Sequence, residues 1–564
     1  MLFAQDTGRH AMAVLSWVAG LVVLVGAAEV DQALIRREME EAIASLDSVR
    51  GYGAYEKSVD VPEQIVLAYE WAQGRAPDPV EFHTLLGMWP ELGLKPSDLL
   101  SFAIRGKEPA ITWEMCAAFI ARKTARPQPS AQTKALAAAL LNAPLGKDEG
   151  AGPAKSSAGR VAVKSEPGVA YNTYFGYLHA HSELSDGEGS PDQAYTSARA
   201  AGLDFFALTD HGELVLVWPW EDKWGQEQSA ADRADAPGEF AALWGFEWSS
   251  PLYGHATVVN SEDYTDCVSS SRLVQLYDWL ADRPDAFGRF NHPGYFDYAI
   301  ADLLHFRLFD QAVNQMVGVE CWNGDDGFDR YYYAGNWEGP ESYLDRANLN
   351  GWRVGALGGE DNHRADWGRM GRFRTGVLAT ELTREGIAEA YMSRRFYATE
   401  DDNLCLDFRC GGYPMGSMLD GEARVFEVLA HDRDGEDFAE VRLYRNGQLI
   451  ESRDVTGGDV FEVFEDASTE DGYYYAIVKQ VDDSDANGRN DEAISSPIWF
   501  GDLDGVKSGC YSPLFKEQQA SAAWSNLAVL LLAAGALVTT TRTHRTDRTD
   551  RTDRTDRTYK NRME

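Results

Sequence analysis

The strongest constraint on the fold of this chain is an alternation of short apolar runs and helix-like stretches between residues 171 and 397. The apolar runs include YFGYLHAH, LDFFALTDH, AALWGFEW and MVGVECWNG, and the helix-like stretches include PDQAYTSARAAGL and REGIAEAYMSRR. This alternation predicts a parallel α/β layer structure that is barrel-like in form. Polar residues stand at the ends of the apolar runs, and the carboxyl ends of barrel strands are where active sites form.

Two histidines close the first apolar run. His179 and His181 lie two residues apart in LHAHSELSDGEG, and Asp186 follows after a short loop. Side chains repeat every two residues along a strand, so both imidazoles would lie on the same face. Two imidazoles directed at one point are good ligands for first-row metals. A single pair of this kind fits two exposed histidines equally well.

Four more elements place metal-competent side chains beside apolar runs. They contribute Asp210, His211, Glu247, His255, His292, Asp361 and His363. Six of the 11 histidines of the chain therefore lie in five short elements, whereas His305 has no such context and is interpreted as ordinary. Crowding carboxylates and imidazoles into one pocket is costly unless cations neutralise them, so the pattern predicts a metal centre.

The order of these motifs resembles that of the PHP (polymerase and histidinol phosphatase) superfamily. The HxH pair, SDG, TDH, GxE, GH, NHP and DxH follow one another and span residues 171–397. VGVECWNG, GGEDNH, LTREGIAEAYMSRRFYAT and LYRNGQ resemble the CehA/McbA-type branch. The resemblance implies a distorted (β/α)7 barrel that holds two or three divalent metal ions, which would be Zn, Mn or Fe.

The resemblance also implies which residues hold each metal. The first metal would be held by His179, His181, Glu247 and Asp361. The second would be held by Glu247 as a bridging ligand, His255 and His292, and the third by Asp186, His211 and His363. Glu360 departs from the family pattern, in which a small residue precedes the last Asp, and it would either assist a ligand or point away.

A metal-activated hydroxide is the nucleophile that this resemblance implies, because a divalent cation lowers the pKa of bound water to about 7 in the best-studied zinc case. Asp210 or His363 would transfer the proton, although Asp210 could instead orient a ligand. The chain contains no GxSxG motif, so a covalent acyl-enzyme is not favoured.

The substrate is open between two classes of small molecule. A phosphoester is the first expectation, since Arg364, Arg372 and Arg374 could hold an anion, although they could equally balance an acidic surface. A carbamate or carboxylic ester is the alternative, and an aromatic-lined pocket would suit it. The aromatic candidates, which could also be ordinary packing, are Trp218, Trp220, Trp248, Tyr253, Tyr295, Trp322 and Trp367. A hypothesis from another functional class is a non-catalytic metal-containing surface-binding protein.

Composition excludes one class of partner. The formal net charge of −37 argues against nucleic-acid binding, because a phosphate backbone would be repelled. The 6 cysteines form no CxxC pair, and Cys405 and Cys410 are either bridged or two unpaired thiols. The oligomeric state is left open.

The flanking regions predict an exported protein, periplasmic or at the cell surface. Residues 1–28 resemble a signal peptide, 30–145 are helical with pieces at 62–74, 97–106, 111–122 and 131–142, and 146–170 form a linker. Residues 398–505 alternate with period two, which predicts a β-sandwich-like domain with a hairpin at RNGQ. Residues 521–541 are apolar and long enough to anchor the chain in a membrane, before a low-complexity RTD tail at 542–564.

Overall fold

The computed structural model describes residues 61–73, 75–91, 129–145, 167–215, 222–295, 300, 302–324, 342–420, 424–482 and 489–501. The segments predicted as signal peptide, membrane anchor and RTD tail lie outside these ranges, as do the predicted helices at 97–106 and 111–122. No helix in the described ranges is long and apolar enough to cross a membrane.

Three helices precede the barrel in the described part of the chain. Their bounds are α1 (Val61–Gln73), α2 (Pro79–Glu91) and α3 (Ala131–Leu141). The predicted helices at 62–74 and 131–142 are confirmed, and α2 lies within the predicted helical region 30–145 but outside its named pieces. Asp78 explains the start of α2, because its carboxylate accepts hydrogen bonds from the backbone amides of Val80 and Glu81, and Pro79 occupies the first helical position.

The central region alternates strands and helices. Its strands are β1 (Asn172–Tyr177), β2 (Phe205–Leu208), β3 (Ala241–Ser250), β4 (Gly254–Val259), β5 (Phe287–Phe290), β6 (Met316–Asn323), β7 (Gly355–Gly359), β8 (Arg374–Ala379) and β9 (Phe396–Thr399). Its helices are α4 (Pro191–Ala200), α5 (Gly212–Val215), α6 (Lys223–Ala234), α7 (Leu273–Ala281), α8 (Tyr343–Leu349) and α9 (Arg384–Met392). The α/β prediction is therefore confirmed.

The strands lie in the order β9-β8-β1-β2-β3-β4-β5-β6-β7. Pairing is parallel for β1–β2, β2–β3, β5–β6 and β6–β7, and antiparallel for β3–β4, β4–β5, β1–β8 and β8–β9. The sheet curls until β7 meets β8, where the Thr375 hydroxyl donates to the carbonyl of Gly358 at 2.8 Å and accepts from its amide at 3.1 Å. The sheet is thus mixed rather than all-parallel, and the (β/α)7 count stays a prediction.

Close approach between strands requires glycine in one place that matters for the site. A Cβ atom on Gly176 of β1 would lie 2.0 Å from the carbonyl oxygen of Phe205 on β2. Glycine therefore permits the β1–β2 pairing, which aligns the strand ends that carry the first two predicted ligand pairs.

The C-terminal region consists of strands in two layers. One layer contains β10 (Leu404–Cys410), β11 (Tyr413–Pro414), β13 (Arg424–Asp432) and β16 (Asp459–Asp466). The other contains β12 (Met418–Leu419), β14 (Phe438–Arg445), β15 (Gln448–Asp454), β17 (Gly472–Gln480), β18 (Glu492–Ser495) and β19 (Ile498–Phe500). These strands pair antiparallel except for β12 with β19, which pair parallel. Apolar side chains of both layers form one core that includes Phe408, Phe426 and Leu443.

This sandwich-like region is continuous with the barrel, since β18 pairs antiparallel with β9. The predicted hairpin at RNGQ is confirmed: β14 and β15 are joined by Asn446 and Gly447, whose φ angles are 50° and 76°. Cys405 and Cys410 are free thiols on the same strand, with Cys405 half-buried and Cys410 buried, so the bridged alternative is wrong.

Candidate metal centre

The predicted ligands come from six separate places in the barrel and meet at one end of it. His179, His181, His211, His292, Asp361 and His363 follow strands β1, β2, β5 and β7, whereas Glu247 lies within β3 and His255 within β4. The backbone joins the strand ends directly, because the His181 amide donates to the Asn362 carbonyl at 2.9 Å and the Asp361 amide donates to the His179 carbonyl at 3.1 Å.

Glu247 lies at the centre of the site and is 1% exposed. Its Oε1 lies 3.2 Å from His179 Nε2, 3.3 Å from His255 Nδ1 and 3.4 Å from His292 Nε2. Its other oxygen, Oε2, lies 2.9 Å from His211 Nδ1. One carboxylate therefore contacts imidazoles on both of its oxygens, as a bridging ligand must.

Asp361 forms a second centre of contact. Its Oδ1 lies 3.1 Å from His179 Nε2 and 2.9 Å from His181 Nε2. The backbone of Asp361 has a φ of 50° and that of His292 has a φ of 23°. Residues other than glycine adopt such angles at a cost, and strain of this kind clusters at functional sites.

A third group lies toward solvent around Asp186. The Asp186 carboxylate is 3.5 Å from His211 Nε2, 3.4 Å from His363 Nε2 and 4.0 Å from His181 Nδ1. The resemblance placed His181 with the first metal alone, whereas here its two ring nitrogens face two different groups of acidic side chains. The His181 ring also stacks on those of His363 and His211, with centroids 4.1 and 4.4 Å away.

These donors fit divalent cations. Three sets of side chains each present ligand atoms within 4.8 Å of one another: His179, His181 and Asp361; His179, Glu247 and His292; and His181, Asp186, His211 and His363. Mixed imidazole and carboxylate donors suit Zn, Mn and Fe. The buried Nδ1 of His181 has no hydrogen-bond partner among the described residues, which a cation would supply.

In the absence of a metal ion, His179 and His181 of the HxH pair differ in charge. Burial lowers the pKa of His179, but the carboxylates of Asp361, Glu320 and Glu247 outweigh it and raise that pKa to about 10. Burial and the neighbouring imidazoles of His363 and His211 lower the pKa of His181 to about 4. Although burial opposes it, nearby imidazoles also lower the pKa values of Glu247 and Asp361, so both carboxylates stay ionised. The site therefore favours cationic occupants.

Glu320 on β6 is a residue that sequence reasoning missed. Its Oε1 lies 3.1 Å from His179 Nδ1 and accepts a hydrogen bond from Arg289, and its Oε2 accepts from the His292 amide at 2.9 Å. Burial alone would raise the pKa of Glu320, but Arg289 and His179 lower it to about 2. A carboxylate that accepts a hydrogen bond from the ring nitrogen facing away from the metal fixes the orientation and tautomer of a ligand histidine.

Two asparagines complete this supporting network and were also missed. Asn291 Nδ2 lies 2.6 Å from Glu247 Oε1 and 2.7 Å from Thr257 Oγ1. Asn323 Nδ2 donates to Asp361 Oδ2 at 2.9 Å. Both amides therefore hold predicted ligand carboxylates in place, and the asparagine that precedes His292 in FNHPGY was the available signal.

Asp210 is fully buried, and its carboxylate binds the loop that carries Asp186. Its Oδ1 accepts from the Ser182 amide at 2.8 Å and from the Ser185 hydroxyl, and its Oδ2 accepts from the Ser182 hydroxyl at 2.7 Å. Burial raises its pKa, which these hydrogen bonds oppose. Such contacts are those of a residue that positions the loop.

Glu360 points away from the predicted ligands. Its Oε2 accepts hydrogen bonds from Tyr177 Oη at 2.7 Å, Asn362 Nδ2 at 2.9 Å and the Gly368 amide at 3.0 Å. Arg374 lies 3.4 Å from its other oxygen and also donates to the Gly368 carbonyl at 2.9 Å. This carboxylate organises the segment that follows Asp361 instead of binding a metal.

The other candidate arginines and aromatic residues are mostly committed elsewhere. Arg372 pairs with Asp401 at 2.7 Å, and Arg364 is exposed beside His363. Trp248, Tyr253, Trp322 and Trp367 are buried, and Trp218 and Trp220 lie outside the described residues. Tyr295 is 40% exposed with its ring 5.4 Å from that of His292, so among the described candidates it is the exposed aromatic residue beside the centre.

No family model and no curated protein matches this chain. Among solved structures, a two-domain protein from Bacteroides vulgatus ATCC 8482, described as containing a predicted PHP-like metal-dependent phosphoesterase, is 17% identical, covers 59% of this chain and 98% of its own, and has a TM-score of 0.34. An amidohydrolase from Chromobacterium violaceum is 14% identical, covers 34% of this chain and 89% of its own, and scores 0.20. A protein from Bifidobacterium adolescentis ATCC 15703, described as a metal-dependent phosphoesterase, is 15% identical, covers 36% and 90%, and scores 0.21. Similarities this low do not assign an activity to this chain.

Proposed function

We propose that this protein is a metal-dependent hydrolase of the PHP superfamily, CehA/McbA-type branch, with a distorted (β/α)7 barrel. The observation that carries the proposal is the position of Glu247, whose two oxygens contact four imidazoles within 3.4 Å. A buried carboxylate among so many imidazoles is the arrangement expected of a bridge between metal ions.

The proposed ligands are those that the resemblance names, with one change. His181 faces both Asp361 and Asp186, so we assign it to the first metal through Nε2 and to the edge of the third site through Nδ1. Bound Zn, Mn or Fe would polarise the bond under attack and activate water near neutral pH. Glu320, Asn291 and Asn323 hold the ligands in place, and Asp210 positions the loop that carries Asp186.

His363 is the better candidate for proton transfer. Its side chain is 39% exposed, and its Nδ1 donates to the Asp361 carbonyl at 2.8 Å, which leaves Nε2 facing Asp186. The same Nε2 would bind a third cation, so the two roles exclude each other. Proton transfer by His363 therefore belongs to a centre that holds two cations.

A phosphoester is the substrate that we propose first. The cations would bind the phosphoryl oxygens, and the exposed Arg364 beside His363 could pair with the remaining charge. Arg364 is preferred for this role because it is exposed, whereas Arg374 is buried against Glu360 and Arg372 pairs with Asp401.

A carbamate or carboxylic ester is the second candidate, and Tyr295 favours it. This ring lies exposed at 5.4 Å from that of His292, where it could stack on an aryl leaving group. The loss of two candidate arginines also reduces the cationic surface that a phosphate would need.

A paired assay separates these two classes. The full-length protein would be given an aryl phosphate and an aryl carbamate with the same leaving group, each with and without chelator. Chelator-sensitive hydrolysis of the phosphate supports the first class, and of the carbamate the second. Hydrolysis of neither substrate by protein that holds metal would favour a non-catalytic surface-binding protein. Export and attachment to a membrane through residues 521–541 remain part of the proposal, and cell fractionation would test them.

A further inference from the structure

A second cluster of acidic side chains lies where the barrel meets the sandwich-like strands. Asp401 follows β9, Asp432 ends β13 and Glu436 precedes β14, and their carboxylate oxygens lie within 4.8 Å of one another. Asp401 is 0% and Asp432 is 2% exposed. These residues belong to none of the motifs that make up the metal centre of the barrel.

Gln480, at the end of β17, provides the independent sign of a ligand. It is 0% exposed, and its Nε2 lies 2.9 Å from Asp401 Oδ2, 2.9 Å from Asp432 Oδ2 and 3.2 Å from Glu436 Oε2. An amide nitrogen has two hydrogens, so it cannot satisfy three acceptors. Its Oε1 is buried without a hydrogen-bond partner among the described residues.

A cation between the carboxylates would give Oε1 a partner once the amide is turned, and Nε2 would then take the present place of Oε1. Turning the amide of Gln480 by 180° would direct Oε1 at the three carboxylates, which is repulsive unless a positive ion lies between them. The ion would then have four oxygen ligands from four elements. The second oxygen of Asp432 stays bound to the backbone amides of Asp434, Gly435 and Glu436 at 2.7 to 3.1 Å, which fixes the direction of the first.

The local charge matches a divalent ion. Arg372 pairs with Asp401 at 2.7 Å and lies 3.7 Å from Glu436. Arg372 also pairs with the exposed Asp402 at 3.3 Å. The three buried or half-buried carboxylates and the guanidinium leave two negative charges, or three with Asp402, and a divalent cation neutralises two of them. Burial raises the pKa of Asp401, which is the cost that such an ion would offset.

We propose that Asp401, Asp432, Glu436 and Gln480 form a Ca²⁺ site that fastens the sandwich-like strands to the barrel. Ligands that are all oxygen, from carboxylates and an amide, suit Ca²⁺ and not the metals that imidazoles select. Arg372 lies in the segment that follows Asp361 and His363, so the site would also steady the segment that carries those predicted ligands.

Calorimetric titration of the chelator-treated, full-length protein with CaCl2 tests the site, with the melting temperature as the second readout. We expect saturable binding with a dissociation constant on the order of 10⁻⁴ to 10⁻³ M, and a rise in melting temperature. Glu436→Gln should weaken binding about tenfold or more, and Gln480→Leu should abolish the Ca²⁺-dependent rise. Glu465→Gln, on an exposed residue of β16, is the matched control and should bind as the parent does.

One more variant distinguishes Ca²⁺ binding at this site from binding at the barrel centre. Glu247→Gln should keep the full Ca²⁺ response, because Glu247 belongs to the other centre. The proposal is overturned if the parent shows no saturable Ca²⁺ binding, if folded Glu436→Gln binds as tightly as the parent, or if the response disappears in Glu247→Gln. None of these readouts depends on hydrolysis, so the proposed activity can fail without affecting this result.

Discussion

The barrel centre and the acidic cluster at the junction are both largely buried and rich in carboxylates, but they differ in the atoms that they present. The barrel centre offers imidazole nitrogens around Glu247, whereas the junction offers only oxygens around Gln480. Nitrogen donors select transition metals, and oxygen donors select Ca²⁺ or Mg²⁺. The comparison teaches that donor chemistry, and not acidity alone, decides what a buried anionic pocket binds.

Glu247→Gln should have the largest effect of the variants proposed, and it acts on the barrel centre. The amide keeps the size of the side chain but removes the charge that four imidazoles contact. We expect hydrolysis to fall on the order of 10³-fold, because metals supply several kcal/mol of charge stabilisation. Steady-state kinetics and metal content measure the effect, and a variant that keeps its metals and its rate would refute the role of Glu247.

Glu320→Gln should have the second-largest effect on the barrel centre. Glu320 holds His179 at 3.1 Å, and removing such a partner costs about 10- to 100-fold in metal affinity or activity. Competition with a metal-binding dye gives the affinity. Glu227→Gln is the matched control, since Glu227 is equally buried, and its carboxylate accepts from the Gly245 amide at 3.2 Å. Equal affinities in both variants would remove Glu320 from the account.

Asp210→Asn distinguishes positioning from proton transfer. If Asp210 only holds Ser182 and Ser185, we expect kcat to fall about tenfold or less while the pH profile of kcat/KM keeps its shape. His363→Gln should instead change one limb of that profile in a centre that holds two cations. Loss of a limb in Asp210→Asn would restore Asp210 as the proton-transfer group.

Much of the barrel centre could be predicted from sequence, because its predicted ligands lie at or near the ends of apolar runs and two pairs of them have a spacing of two. Glu320 could not be assigned, since it lies inside the fully buried strand β6 and its partners depend on how β5, β6 and β7 pair. A carboxylate within such a run must find a buried partner, and this was the available signal.

The junction was beyond prediction for a related reason. Asp401, Asp432, Glu436 and Gln480 are spread over about 80 residues, and only the pairing of β18 with β9 and the sandwich packing bring them together. Alternation along the strands predicted a sandwich-like region but not its continuity with the barrel sheet. The period of an apolar pattern and the spacing of a motif indicate local structure, whereas the pairing of distant strands depends on the whole chain.

Glu400→Gln should give the smallest effect on activity, because it acts on stability next to the junction. Burial and the carboxylates of Glu492 and Asp491 raise the pKa of Glu400 to about 8, although Arg489 opposes them. The folded state thus binds a proton that the unfolded state releases near pH 4.5, so the parent loses stability as pH rises from about 4.5 to about 8. Since one pKa unit corresponds to about 1.4 kcal/mol, the variant should be up to about 5 kcal/mol more stable than the parent at pH 9 and equal to it at pH 4. Denaturant unfolding measures this, and a difference that is the same at both pH values would contradict it.

The most direct test of the central claim is the metal content of the full-length protein together with its hydrolysis before and after chelation. The account predicts two or three transition-metal ions per chain, loss of hydrolysis when they are removed, and recovery with Zn²⁺, Mn²⁺ or Fe²⁺ but not with Ca²⁺. Protein that binds no transition metal, or hydrolysis that continues unchanged after chelation, would contradict it.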